Sequence, residues 1–350
     1  MNYTFLKACR GEETDYTPIW IMRQAGRYLP EYHTVRDKVT FLELCKTPEL
    51  AAEVSFQPVD ILGVDAAIMF SDILVPLEKM GAPLEFREKQ GPVFPTPIRD
   101  QSAVDKLGIP DPEDDLGYVM DTIRILRKEL EGRVPLIGFS GAPFTLATYL
   151  IEGGSSRTFL NTKMMMYNDP DLYKSLMDKI TECTTTYLKG QIDAGVQAIQ
   201  IFDSWVGVLA PCDFAEFALP YVSRIITELK KVRDIPIIYF ANNGATLIEQ
   251  AMTTGADVLG VDWRLNLSDV VKIVSGKMAI QGNMEPLALF LPPDKLEKRI
   301  ANVLEEAKGA SGHIFNLGHG IVQQTDPEKA KMAVGLVHKL SRRVLLDKNP

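Results

Sequence analysis

Two arginines, Arg23 and Arg27, stand four residues apart. On a helical turn that spacing puts both on one face. Two guanidiniums held together repel unless an anion lies between them, and their forked donors suit carboxylates and phosphates. A structural ion pair with a nearby acid such as Glu31 would use the same residues. Asp72 follows the apolar run Ile68-Met69-Phe70, at the edge of a dry interior. A carboxylate there needs a partner, which a ligand, an arginine or a helix start can supply. His319 lies in Asn316-Leu317-Gly318-His319-Gly320-Ile321. Its flanking glycines let the backbone turn sharply and leave room for a ligand, although a lone histidine can equally be structural. Tyr149 reads as packing as readily as chemistry. Ser204 has no GxSxG context, which argues against a nucleophilic serine.

The elements that must position these residues are short β-type runs alternating with helical stretches. The runs are residues 18–22, 65–70, 134–139, 197–202, 236–241, 258–261, 278–281 and 313–317. Most are continuously apolar, as expected for parallel strands covered on both faces. Helices are expected over 169–194, 212–232, 247–254, 292–310 and 325–346. The first opens Asp-Pro-Asp, and the last opens with Thr325 and Pro327 as start signals. Eight strands alternating with helices argue for an α/β fold, a (β/α)8 barrel, with a doubly wound open sheet as runner-up. The link over 71–133 is long. Residues 84–87 and 92–94 around Glu-Lys-Gln-Gly read as a hairpin inserted after the second strand. In a barrel, functional groups belong just past the C-terminal end of each strand. Arg23, Gln24 and Arg27 fall there, as do Asp72, Ser204 and His319; Tyr149 follows on the segment after the third strand.

Bulk properties narrow the function classes. The chain of 350 residues carries 38 Lys and Arg against 46 Asp and Glu, a formal net charge of −8. That balance disfavours binding to nucleic acid or an anionic membrane. It does not exclude a small anion, because a few arginines in one cleft override a weakly negative surface. The cysteines at 9, 45, 183 and 212 form no CxxC and no zinc-like spacing. They read as reduced thiols of a cytoplasmic protein. No apolar h-region opens the chain, and no apolar stretch is long enough to span a membrane. With no linker marking a boundary, residues 1–350 are expected to form one domain.

Six segments resemble the uroporphyrinogen decarboxylase family over nearly the whole chain. The most specific is Pro18-Ile19-Trp20-Ile21-Met22-Arg23-Gln24-Ala25-Gly26-Arg27-Tyr28-Leu29-Pro30-Glu31. A second runs from Gly138 through Tyr149 to Gly154. The others are Phe70-Ser71-Asp72-Ile73-Leu74, Phe202-Asp203-Ser204-Trp205, Gln281-Gly282-Asn283 and Phe315-Asn316-Leu317-Gly318-His319-Gly320. The resemblance implies a distorted single-domain barrel working as a homodimer with facing clefts. It implies that uroporphyrinogen III loses four carboxylates to give coproporphyrinogen III in haem biosynthesis. Substrate-binding roles carry over to Arg23, Gln24, Ala25, Gly26, Arg27, Phe41, Asp72, Tyr149, Ser204 and His319. Asp72, Arg23 and Arg27 are the catalytic candidates among them.

Decarboxylation leaves an electron pair that needs a sink, often PLP, TPP or a metal. The sequence offers no recognisable site for these, so no cofactor and no metal are expected. A pyrrole protonated beside its acetate arm is its own sink. Residues 153–167, with two glycines and three methionines, are expected to form a movable cleft wall. The rival of the same fold is a corrinoid- or thiol-linked methyltransferase with a His and Cys zinc site. The equivalent strand end here, Tyr239-Phe240-Ala241-Asn242-Asn243, has no such ligand. A non-catalytic tetrapyrrole carrier would keep the arginines and could dispense with Asp72.

Overall fold

The computed structural model describes residues 3–87 and 90–346, with side chains through Arg342. Its centre is a curled parallel sheet of seven strands: β1 (Ala67–Ile68), β4 (Leu136–Gly141), β5 (Ala198–Asp203), β6 (Ile237–Ala241), β7 (Val258–Val261), β8 (Ala279–Gln281) and β9 (His313–Ile314), hydrogen-bonded in that order. The remaining pair, β2 (Glu85–Arg87) and β3 (Gly91–Val93), forms the antiparallel hairpin expected after the second strand. Glu88 and Lys89 at its tip lie outside the described residues. All of β4 and β6 are buried. Helices cover the outer face and side chains fill the centre, which is why these strands read as unbroken apolar runs.

One expected strand is not a strand. Residues 18–22 make a single parallel bridge, Ile19 to Phe315. The backbone still joins both neighbours: Phe315 N–H donates to Pro18 O at 2.8 Å, and Asp65 N–H donates to Ile19 O at 2.8 Å. The segment therefore takes the eighth place in the ring, between β9 and the residues leading into β1. Pro18 has no N–H to give to a ladder, and the rest of the segment is held by side chains. Met22 N–H donates to Asn316 Oδ1 at 3.0 Å, and Ile19 N–H to Asp65 Oδ2 at 2.8 Å.

The ring's interior confirms the curl. Gln200 on β5 and Gln281 on β8 are not neighbours in the sheet, yet Gln281 Nε2 donates to Gln200 Oε1 at 3.2 Å. Trp20 Nε1 donates to Gln281 Oε1 at 2.9 Å, and all three side chains are fully buried. Such a chain of amides inside a dry centre is tolerable because nearly every donor and acceptor finds a partner.

The helix over Pro170–Ala194 starts where Asp169 Oδ1 accepts from Leu172 N–H and stops at Gly195, in left-handed backbone. The helix expected over 212–232 splits into Pro211–Phe217 and Leu219–Lys230 at Ala218. Pro220 cannot continue a ladder, so it serves the first turn of the second piece. Residues 247–254 form only short helical pieces, Ile248–Ala251 and the 3-10 turn Met252–Thr254. The expected 292–310 helix spans Pro293–Glu306, and the last helix is Pro327–Leu346. The cysteines are free, with Cys9, Cys45 and Cys183 buried. Among the described residues, no helix is long and apolar enough to cross a membrane.

Candidate active site

The end of the eighth stave builds the arginine. Gln24 is fully buried; its Oε1 accepts from Ile21 N–H at 3.0 Å and its Nε2 donates to Ala66 O at 3.1 Å. This stitches a turn to the residue before β1 and forces Arg23 into left-handed backbone, φ 63°. The guanidinium is exposed toward the barrel mouth. Arg23 and Arg27 do not share a helical face, because residues 21–29 form successive turns rather than a helix. Arg27 lies instead beside Tyr32, and its carbonyl contacts the His33 ring nitrogen Nε2 at 3.0 Å. Among the described residues neither arginine is held in a salt bridge, so the ion pair with Glu31 does not form.

Asp72 sits half-buried just past β1. Its Oδ1 accepts from Leu74 N–H at 2.9 Å, a turn that leads into the Val75–Lys79 helix. The other oxygen is left for a ligand. Burial pushes the carboxyl pKa up to about 6, while the Leu74 N–H and the Arg23 charge pull it back. Tyr149, on the helix Pro143–Glu152, feels both Asp72 and Arg23, and burial raises its phenol above the usual range. His319 is half-buried; burial first, then the charges of Arg23 and Arg264, lower its pKa to about 4. It is a neutral imidazole near pH 7. Gly320 lets Arg23 pass: a Cβ there would stand 2.4 Å from Arg23 Cδ. Asp72, Tyr149 and His319 thus surround one arginine.

Phe41 reaches this group through aromatic contacts. It opens a short helix behind a Thr40–Glu43 capping box. Its ring lies 6.0 Å from Phe70, two residues before Asp72, and 4.7 Å from Phe86 on the hairpin. A depression of about 760 Å³ opens on its outer side, between residues 36–43 and the hairpin. Ala25 and Gly26 supply half-exposed backbone in the Arg23 turn. The Gln24 side chain faces inward and holds the turn, and its backbone is committed as well: its N–H donates to Ile21 O and its carbonyl accepts from Tyr28 Oη, both at 2.8 Å, so this wholly buried residue offers no group to a ligand.

Ser204 stands apart from the Arg23 group. It lines a second pocket, of about 430 Å³, with Trp205, Arg157 and Arg264. Trp205 connects the two regions, its ring 6.1 Å from Tyr149 and 5.4 Å from Phe159. Behind them Asp203 is buried, accepting from Thr145 Oγ1 at 2.7 Å and Tyr239 Oη at 2.8 Å. Thr145 and Tyr149 are one helical turn apart, so this carboxylate fixes the helix that carries Tyr149. Trp205 stands in the Phe202-Asp203-Ser204-Trp205 segment, whereas Arg157 and Arg264 are not among the sequence candidates. Only the sharing of a pocket reveals them, since no local pattern marks an arginine on a loop.

The expected cleft wall is tied at both ends. Phe94 N–H donates to Gly153 O at 2.9 Å, and Gly154 bridges Val93. Thr162 donates twice to Glu152 Oε1, from N–H at 2.8 Å and Oγ1 at 2.9 Å. Residues 160–168 are the helix Leu160–Asn168. Among the described residues, no group of three His, Cys, Asp or Glu is placed to hold a metal ion.

Comparison with known proteins shows the family and the fold. A family model described as Uroporphyrinogen decarboxylase (URO-D) matches residues 1–340. A uroporphyrinogen decarboxylase from Desulfotalea psychrophila is 64% identical over 341 residues, covering 97% of this chain and 99% of that protein. One from Geobacter metallireducens is 54% identical over 343 residues, covering 98% and 100%. Among solved structures, a methyltransferase from Methanosarcina mazei superposes with TM-score 0.79 at 19% identity, over 96% of this chain and 97% of that one. A B12-independent methionine synthase from Shewanella sp. W3-18-1 gives TM-score 0.61 at 11% identity, over 89% and 92%. These two share the barrel-like fold alone, and the methyltransferase alternative is not favoured by the sequence relatives. On the family model and on these full-length sequence relatives, the chain belongs to the uroporphyrinogen decarboxylase family.

Proposed function

We propose that this chain is a uroporphyrinogen decarboxylase, a carboxy-lyase of haem biosynthesis. It converts the four acetate arms of uroporphyrinogen III to methyl groups and yields coproporphyrinogen III. Residues 1–350 act as one domain, in the cytoplasm and as a homodimer, with no nucleic acid or membrane as partner. The observation that carries the reading is Asp72: a half-buried carboxylate at the barrel mouth which, among the described residues, is in no salt bridge and has one oxygen uncommitted.

Each arm reacts through two protonations and one deprotonation. A proton adds to the ring carbon beside the one that bears the arm, giving a cationic ring conjugated with the arm. The bond to the carboxylate then breaks, carbon dioxide leaves, and its electron pair flows into the ring. A second proton adds at the exocyclic carbon to make the methyl group, and the ring carbon gives up the first proton, which restores the pyrrole. The substrate supplies the electron sink itself, so no cofactor is required. Asp72 accepts hydrogen bonds from the pyrrole N–H groups and stabilises the developing cation. The four N–H groups of a domed macrocycle converge, so one carboxylate serves every ring. Arg23 holds the carboxylate of the reacting arm and orients it. A guanidinium, which stays protonated in proteins, is a poor general acid. Arg27, Ser204 and the neutral His319 hold further carboxylates, while Tyr149 and Phe41 wall the macrocycle and the Ala25–Gly26 backbone frames it; buried Gln24 acts only by holding the turn that carries them.

The test is anaerobic incubation with uroporphyrinogen III, followed by chromatography of the oxidised porphyrins. Coproporphyrin should accumulate in proportion to enzyme. Unchanged uroporphyrin from the folded protein, with tight binding, would instead mark a carrier. Stoichiometric zinc with thiol methylation would mark the methyltransferase.

A further inference from the structure

Arg157 and Arg264 line the pocket of about 430 Å³ that also holds Ser204. They come from different parts of the chain, the loop after the Tyr149 helix and the loop after β7. Arg264 is oriented before any ligand arrives. Its Nη1 donates to buried Asp262 Oδ1 at 3.2 Å, and its guanidinium lies 4.0 Å over the Trp263 ring. One of its five N–H donors is used there, and the side chain remains 45% exposed. Arg157 is exposed and held by no salt bridge among the described residues. The same Asp262 fixes the opposite wall, because its Oδ2 accepts from Asn243 N–H. Gly207 lets the loop after β5 close on that wall, since a Cβ there would stand 2.4 Å from Asn243 O. Asn242 Nδ2 donates to Ser204 O at 2.9 Å, while its Oδ1 is buried with no partner. A water between that oxygen and a bound carboxylate would satisfy both.

This pocket adjoins the Arg23 group. His319 feels Arg23 and Arg264 together, and the Trp205 ring borders Tyr149 on one side and the pocket on the other. A second cationic region beside the first suits a ligand with several separated negative charges. It also answers a difficulty of charge: a polycarboxylate must approach a protein of net charge −8.

We propose that Arg157 and Arg264 form a second carboxylate subsite, which takes a propionate arm of the tetrapyrrole while an acetate arm lies at Arg23 and Asp72. The subsite rests on the decarboxylase reading. Propionate is assigned because propionates persist through all four decarboxylations, whereas acetates vanish. A site that keeps its grip from first to last intermediate must hold the persistent groups. Its role is binding and registry rather than bond breaking, so it acts on KM and leaves kcat nearly alone.

The experiment compares Arg157→Gln, Arg264→Gln and the double variant with wild type. Arg299→Gln, on the outer helix Pro293–Glu306, removes one charge elsewhere. Steady-state decarboxylation is measured alongside titration of tryptophan fluorescence with coproporphyrin, which has four propionates and no acetates. The double variant should raise KM about tenfold or more and weaken coproporphyrin binding by a similar factor, with kcat within about twofold. Arg299→Gln should do neither. Unchanged KM and coproporphyrin affinity in the double variant would overturn the subsite, and so would an equal effect from Arg299→Gln. Loss of fold in Arg264→Gln leaves the decision to Arg157→Gln, whose side chain holds nothing in place. Wild type that makes no coproporphyrinogen defeats the decarboxylase reading instead, and the binding titration, which needs no turnover, still decides the subsite.

Discussion

In the proposed mechanism the chemistry turns on Asp72, and its environment gives it two measurable signatures. With a folded pKa of about 6 it is mostly ionised at neutral pH. Activity that depends on the carboxylate should therefore fall as pH drops through 6, read as kcat/KM against pH. Asp72→Asn should lower kcat by roughly 10²-fold or more, the usual consequence of removing a preorganised electrostatic partner. The stability sign is opposite to the usual acid. Because folding raises this pKa above its unfolded value, the ionised side chain opposes folding above pH 6. The opposition fades as pH falls toward 4, where both states are protonated. Asp72→Asn should thus stabilise the protein at pH 8, by roughly 1–3 kcal/mol, with the gain vanishing near pH 4. Thermal midpoints across that range check it. A neighbouring glycine offers a second test: Gly320→Ala places a methyl 2.4 Å from Arg23 Cδ. The flexible arginine should move rather than the fold, giving a KM increase with little change in thermal midpoint.

At the scale of elements, the eighth stave is the decisive piece, because it carries Arg23 without being a regular strand. Its anchorage is concentrated in Asp65. Asp65 Oδ1 accepts from Tyr16 Oη at 2.8 Å, and its Oδ2 meets Ile19 N–H at 2.8 Å and the His338 ring nitrogen at 2.7 Å. One carboxylate thereby joins the stave, the approach to β1 and the last helix. Asp65→Ala should destabilise by about 2–4 kcal/mol, since it strands several partly buried donors. Activity should drop further than the folded fraction accounts for, because Arg23 loses its register. Urea unfolding together with activity per folded molecule separates the two effects. The cleft wall is a smaller element than residues 153–167 suggest. Its ends are tied to the hairpin and to Glu152, which leaves 155–158 as the stretch able to move. Hydrogen exchange on adding coproporphyrin should slow there, around Arg157, and hardly change in the helix Leu160–Asn168.

For the whole molecule, charge and closure act together. A chain of net charge −8 attracts a polycarboxylate only through a local cationic mouth, so substrate capture should weaken as salt screens it. Measured kcat/KM should fall with ionic strength while kcat stays level. The barrel makes that mouth by bringing eight segments, distant in sequence, to one end. The pyrrole reaction then proceeds where a carboxylate and an arginine share a partly dry space. Sedimentation of the purified protein should give a dimer mass, as the homodimer reading requires.

The apolar runs by themselves marked a parallel sheet, because burial on both faces leaves a continuous apolar signature, while the hairpin after the second strand, whose strands are exposed or half-buried, was legible from the Glu-Lys-Gln-Gly turn between two short runs. The family-like segments singled out Arg23, Asp72, Tyr149 and His319; position past a strand end left each as readily structural as functional, and Tyr149 lies further on, in the helix Pro143–Glu152. Spacing misjudged the Arg23–Arg27 pair, which the buried Gln24 side chain places on turns instead of a helix. It could not see that Gln24 faces inward, or that Pro18 and side-chain bonds replace a ladder. Arg157 and Arg264 emerged only from the folded chain. Nothing local distinguishes a loop arginine that meets a second one across a pocket from a solvated one; that difference is a long-range distance, and the closed ring alone decides it.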